Sequence, residues 1–225
     1  MEQMSYNRRW DYNDVSKLVD CLKRLPPAEG KEESPRYTTP ALKLLDCVLS
    51  LNRRYEEFVI PTVDRFKGNH PNVNALAELH SFVIGCSGPT SFFEDELRYD
   101  DTQRAETFAG VLAYLRDILP QYAGANELDK LHQWAISAHP KDYTKVDVYG
   151  FGLAGWQYLR MLFRADTCKP DRYINSFVRE CLGRHVSRLS VVELMEVAAP
   201  RAGLSVREAD RRIWRLKRKR NSGCH

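Results

Sequence analysis

The chain has 225 residues, 43% hydrophobic and 28% charged, with a formal net charge of +4 at pH 7. That length and apolar content suffice for a substantial buried core, which excludes disorder throughout, and no apolar run approaches the ~20 residues of a membrane-spanning helix. The first ten residues, Met1 to Trp10, lack the apolar stretch of a signal peptide, so a cytoplasmic protein with no membrane partner is expected.

Helical punctuation dominates the chain. Asn13 or Asp14 can cap a first helix that runs to Leu25 and is ended by Pro26-Pro27, after which Ala28 to Tyr37 reads as a polar loop. Thr39-Pro40 sets a capping hydroxyl before a proline at the first helical position, and Ala41, Leu44, Leu45, Val48 and Leu49 supply an apolar face. Asn52 marks the end of that helix. Tyr55, Phe58, Val59, Val63 and Phe66 resume the helical period, and Pro61 must begin, kink or divide the segment. Further helices are expected at 75–84, 102–119, 127–137 and 155–163. Ser91-x-x-Glu94, Ser190-x-x-Glu193 and Ser205-x-x-Glu208 read as capping boxes, the last two heading segments with Leu194–Ala198 and Ile213–Leu216 as apolar content. Period-2 strands with hairpin turns are absent, so the expected fold class is all-α. The domains expected are an N-terminal helix and loop (1–38), a main body (39–216) and a basic tail (217–225).

The six cysteines, Cys21, Cys47, Cys86, Cys168, Cys181 and Cys224, form no Cys-x-x-Cys pair and read as reduced structural thiols. The acidic stretch Glu94-Asp95-Glu96 with Asp100 and Asp101 reads as solvated or capping carboxylates. The six histidines share no helix-face spacing, so neither a metal nor a cofactor is expected. From Arg207 to Arg220 there are eight Lys or Arg against Glu208 and Asp210, interleaved with Ile213, Trp214 and Leu216. This is either a helix with a buried stripe and a basic outer face or a solvated terminal helix with a frayed tail.

The most informative segment is Val148-Tyr-Gly-Phe-Gly-Leu-Ala-Gly155, followed by the apolar stretch Trp156–Phe163 and then Lys169-Pro-Asp-Arg-Tyr-Ile-Asn175. Gly150 and Gly152 suit a tight turn in which Phe151 packs inward while neighbouring amides face outward, and such amides contact phosphate without reading sequence. Taken alone, a Gly-x-Gly before a helix reads as a simple interhelical turn. With Asp171 one helix later, the arrangement resembles the helix-hairpin-helix DNA glycosylase superfamily, which includes endonuclease III and bacterial alkyladenine glycosylases. There a Gly-hydrophobe-Gly hairpin precedes a Val/Pro-Asp-x-His/Tyr-Val/Ile motif. Ala41 to Asn52 and Asn74 to Leu79 are similar to the family's earlier helices, so the resemblance spans about Thr39 to Trp214.

The resemblance implies a bilobal helical fold and a partner, duplex DNA. It also implies roles: Asp171 as the catalytic aspartate, Asn52 as the polar residue that fills the gap left by a flipped base, and Gly150, Gly152, Ala154 and Gly155 as the hairpin on the phosphates. A carboxylate can stabilise the cationic sugar formed on glycosidic cleavage and orient or deprotonate a water. Tyr149, Trp156, Tyr173 and Trp134 are candidate walls of a base pocket, with His132 a weaker one, and ordinary core packing is the alternative for each aromatic. Arg212 and Arg215, with Arg211 and residues 217–220, are candidate DNA-backbone contacts. Two departures narrow the expectation. Ala154 stands where bifunctional relatives carry a nucleophilic lysine, so base removal without strand cleavage is expected, and the family's cysteine cluster after the aspartate is missing. A non-catalytic DNA-binding module of the same fold is the alternative.

Overall fold

The computed structural model describes residues 10–27 and 36–222, with side chains to residue 218. The loop expected at 28–37, except Arg36 and Tyr37, lies outside the described residues, as do residues 1–9, Cys224, His225 and the side chains of Lys219 and Arg220. The described secondary structure is all-α, with no strand among the described residues. Contacts divide the chain into two compact units, one formed by Met1–Glu32 with Asp166–His225 and the other by Glu33–Ala165.

The first unit contains α1 (Tyr12–Lys23), α9 (Arg172–Leu182), α10 (Arg188–Arg201) and α11 (Val206–Ser222). The cap of α1 is Asp11 rather than Asn13 or Asp14: its carboxylate accepts the Asp14 amide at 2.9 Å, while Asp14 accepts the Asp11 amide at 3.1 Å. Asp14 therefore closes a reciprocal box from the third helical position, and it also pairs with Arg184. Val15, Leu18 and Leu22 bury the same face of α1. Helix α9 was not among the expected segments, although Ile174, Phe177, Val178 and Leu182 bury one side of it and Gly183, at φ +71°, ends it in the left-handed conformation. Ser190 is not a cap. Ser187 is, its hydroxyl accepting the Ser190 amide at 3.1 Å, and Ser190 is buried in the first turn of α10. Ser205 does accept the Glu208 amide at 3.1 Å, but the Glu208 carboxylate turns to Arg211 and Arg212 instead of closing the box.

The second unit is built around α2 (Pro40–Leu49), all ten residues of which are buried. Pro40 occupies the first turn as expected, but the Thr39 hydroxyl makes no capping bond. Helices α3 (Ile60–Asn69), α4 (Leu76–Gly85), α6 (Thr102–Ile118) and α8 (Leu153–Leu162) pack against α2. Pro61 divides its segment: a π-helical stretch, Tyr55–Val59, gives way to α3 with the proline in its first turn. Ser91 caps nothing, because the turn α5 (Pro89–Ser91) starts at Pro89 and runs on into a π-helical stretch, Phe92–Glu96. Helix α7 (Glu127–Ser137) has the expected bounds. Phe66, Phe82, Phe92, Phe93 and Phe108 form one run of edge-on and stacked rings. Two charged groups of α2 are buried in this unit. The Lys43 ammonium donates to the Leu162 carbonyl at 2.6 Å, and the Asp46 carboxylate accepts from the Tyr55 and Tyr158 hydroxyls at 3.0 Å each, as buried charge requires.

Candidate functional site

The hairpin is a tight turn closed by the Phe151 amide donating to the Val148 carbonyl at 3.2 Å. Gly150 sits at φ +78°, a conformation that costs a side-chain-bearing residue about 1–2 kcal/mol. Phe151 is 4% exposed and anchors the turn, whereas Tyr149 is 78% exposed. Gly152 is exposed, has an ordinary φ of −93° and open space where a Cβ would stand, so neither strain nor crowding demands a glycine there. It is the N-cap of α8 and brings no side chain to the first-turn amides. Those amides, Ala154 among them, carry the positive end of the helix dipole. Gly155 has a different role: a Cβ would lie 3.0 Å from Leu51 and from the Phe151 ring, and its carbonyl accepts the Cys47 thiol. It is a packing glycine beneath the turn.

Helix α6 brings the turn that carries Asn52 to the same edge as this hairpin. Arg104 Nη2 donates to the Leu51 carbonyl at 3.0 Å and, one turn on, Thr107 Oγ1 donates to the Tyr149 carbonyl at 2.9 Å. Asn52 itself is exposed at φ +59°, the left-handed region that asparagine tolerates better than most residues. Two exposed turns about a hundred residues apart in sequence are thus braced by adjacent positions of one helix. Neither Arg104 nor Thr107 was expected in this role. Their spacing of three places them on one helix face, but only the fold shows what that face meets.

Trp134 and Trp156 do not line a base pocket. They are 1% and 0% exposed, cross edge-on with centroids 5.3 Å apart, and the Trp156 indole N–H donates to the His139 carbonyl at 3.1 Å. They belong to the core of the second unit because α7 and α8 pack directly on each other. The His132 Nδ1 lies 3.0 Å from the Phe163 carbonyl and is likewise engaged. Two hollows in this unit, one lined by Gln121–Gly124 with Gln133 and Ser137, the other by Arg36, Asp64, Lys67, Gly68 and Pro71, include no hairpin residue.

Asp171 lies in the first unit, where it is the N-cap of α9. Its Oδ1 accepts the Tyr173 amide at 2.8 Å and the Ile174 amide at 3.1 Å. One oxygen is thereby fixed while the carboxylate stays partly exposed. Tyr173 is also partly exposed, with the Arg172 guanidinium over its ring at 4.6 Å. The segment before Asp171 is strapped to the rest of the unit: Asp166 accepts the Arg207 amide at 3.0 Å, Thr167 donates to Glu196 at 2.9 Å, and Asp210 accepts the Lys169 amide at 2.9 Å. Burial pushes the Asp210 carboxyl up, against the Lys169 amide and with the negative charge of Asp171, to about 7. Val206, Asp210, Ile213 and Lys217 share one face of α11, and Val206, Ile213 and Lys217 are buried, so an aspartate within a buried stripe is the sequence signal that marks Asp210.

The basic face of α11 is largely committed. Arg211 and Arg212 both pair with Glu208, Arg212 at 2.6 Å, and the buried Lys217 ammonium pairs with Glu180 at 2.5 Å. Arg212, a candidate DNA-backbone contact, is thus engaged within its own helix. Arg215 is partly exposed and also engaged.

The chain belongs to the family described as Domain of unknown function (DUF8548), which matches residues 16–218. No curated protein and no solved structure matches it.

Proposed function

We propose that the protein is a monofunctional DNA glycosylase that hydrolyses the N-glycosidic bond of a flipped base in duplex DNA. The observation that carries this reading is the braced edge of the second unit. There the exposed Gly150–Gly152 hairpin leads into an N-terminus of α8 without a side-chain cap, beside the exposed Asn52 turn, both held by α6. Backbone amides at a helix start suit phosphate oxygens. An exposed asparagine held by its backbone suits the space a flipped base leaves. The carboxylate of this reading is Asp171, which is fixed through one oxygen: it stabilises the oxocarbenium-like sugar and receives a proton from the attacking water. Ala154 supplies no amine for a Schiff base, so the product is an abasic site with the strand intact.

The test is incubation with duplexes carrying uracil, alkylated purines, oxidised purines or modified cytosines, followed by alkali. Alkali-dependent breaks with wild type and none with Asp171→Asn are expected; breaks that form without alkali would refute the monofunctional assignment. A second reading, a duplex-binding module without catalysis, is favoured by the complete structural role of Asp171 as a helix cap. It predicts salt-sensitive binding and no base release from any of these duplexes.

A further inference from the structure

The Lys169–Asp171 turn does not hold its shape alone. The Asp171 amide donates to the Lys169 carbonyl at 2.7 Å, which makes a turn of three residues, and the Lys169 amide on its outer side is taken by Asp210 of α11 at 2.9 Å. Asp171 in turn caps α9. Asp210, 39 positions further along the chain, is thus the α11 side chain that holds this turn at the head of α9, beside the Asp166 and Thr167 straps and the Asn175 carboxamide on the Pro170 carbonyl. We propose that Asp210 is the positioning residue for Asp171, holding its turn against α11 and, by its own charge, adjusting how strongly Asp171 stabilises a developing cation. This inference rests on the glycosylase reading and extends it to the regulation of the same carboxylate.

The groups facing Asp210 define the direction of the effect. Asp171 and Lys169 face it from the turn, Arg207 from its own helix, and the buried Cys168 thiol lies close enough to be pushed up by Asp210, Glu196 and Asp171 as well as by burial. Burial dominates and moves the Asp210 carboxyl to about 7, so it loses its proton across the neutral range. Loss of that proton strengthens the bond from the Lys169 amide, because a charged acceptor binds an N–H more strongly than a neutral one. It also adds a second negative charge near Asp171, which favours positive charge on the sugar. Both effects raise the rate as pH rises.

Asparagine at position 210 keeps an oxygen for the Lys169 amide and removes the titration. The experiment is the pH profile of single-turnover base excision for wild type and Asp210→Asn, alongside the pH dependence of the Lys169 amide shift by NMR. Wild type is expected to show a roughly tenfold rise centred near neutral pH, the size of a charge interaction of about 1.4 kcal/mol, and a Lys169 amide that titrates with the same midpoint. Asp210→Asn is expected to lose both. A Lys169 amide that does not titrate in wild type overturns the proposal whatever the activity, and so does an Asp210→Asn profile identical to wild type when Asp171→Asn is inactive. If no duplex is processed, or if Asp171→Asn stays active, the glycosylase reading itself falls and this proposal with it; the Asp171→Asn control thus separates the two failures.

Discussion

Asp171 can be removed in two ways that the structure makes inequivalent. Its Oδ1 accepts two amides of the first turn of α9. Replacing it with alanine leaves those donors uncapped, a loss of about 0.5–2 kcal/mol. For a chain of this length a loss of 1 kcal/mol lowers Tm by about 2–4 °C. Asparagine caps nearly as well as aspartate, so Asp171→Asn is expected to change stability by no more than a few tenths of a kcal/mol. Catalysis follows the opposite ordering. Both substitutions remove the charge, and loss of one preorganised electrostatic contact to a transition state costs about 3–4 kcal/mol, or 10²–10³-fold in rate. Urea unfolding and single-turnover excision of the two variants, measured on the same preparations, separate the contributions. The expected result is that Asp171→Asn is as stable as wild type and as inactive as Asp171→Ala. Excision by Asp171→Asn within a few-fold of wild type would refute the catalytic role and leave Asp171 as a cap alone.

Four further outcomes are expected. Gly152→Asp places a capping carboxylate on the unstrained N-cap of α8, so it should raise Tm while weakening duplex binding in a fluorescence-anisotropy titration; unchanged binding would remove the hairpin from the interface. Gly155→Ala forces a methyl against Leu51 and Phe151 and should cost about 1–3 kcal/mol in urea unfolding. Tyr158→Phe removes one of two hydroxyl donors to the buried Asp46 carboxylate and should cost about 1–3 kcal/mol. Finally, the raised carboxyl of Asp210 means that the folded state holds this proton more tightly than the unfolded chain does. Its contribution favours folding at acid pH and is lost as pH rises from about 4 through about 7. Asp210→Asn should therefore gain stability over wild type more at pH 8 than at pH 5, as read by thermal unfolding at the two values.

The helices that could be read from the chain were those whose signals are local. Glu127–Ser137 is bounded by Asn126, which caps it, and Pro61 divides its segment because a ring without an N–H can only enter a helix at the first turn. The capping boxes at Ser91 and Ser190 misled, since a serine three residues before a glutamate is also compatible with a position inside a turn that Pro89 or Ser187 has already begun. Helix α9 has local signals of the same kind: its cap, its apolar face and its terminal glycine all stand in the sequence.

The hairpin lies on the same side of that divide. A left-handed Gly150, an inward Phe151 and an uncapped start to α8 follow from the chain within a few residues of the turn, and the absence of a lysine at Ala154 is a matter of identity alone. The environment of each candidate was set elsewhere. Trp134 and Trp156 became core because α7 packs on α8, the hairpin and the Asn52 turn met on Arg104 and Thr107, and Asp210 came to hold the turn before Asp171. Backbone conformation depends on neighbours three or four positions away, which a sequence states directly. Burial, charge pairing and proton affinity depend on which distant side chains share a few cubic ångströms, and only the packed tertiary structure decides that.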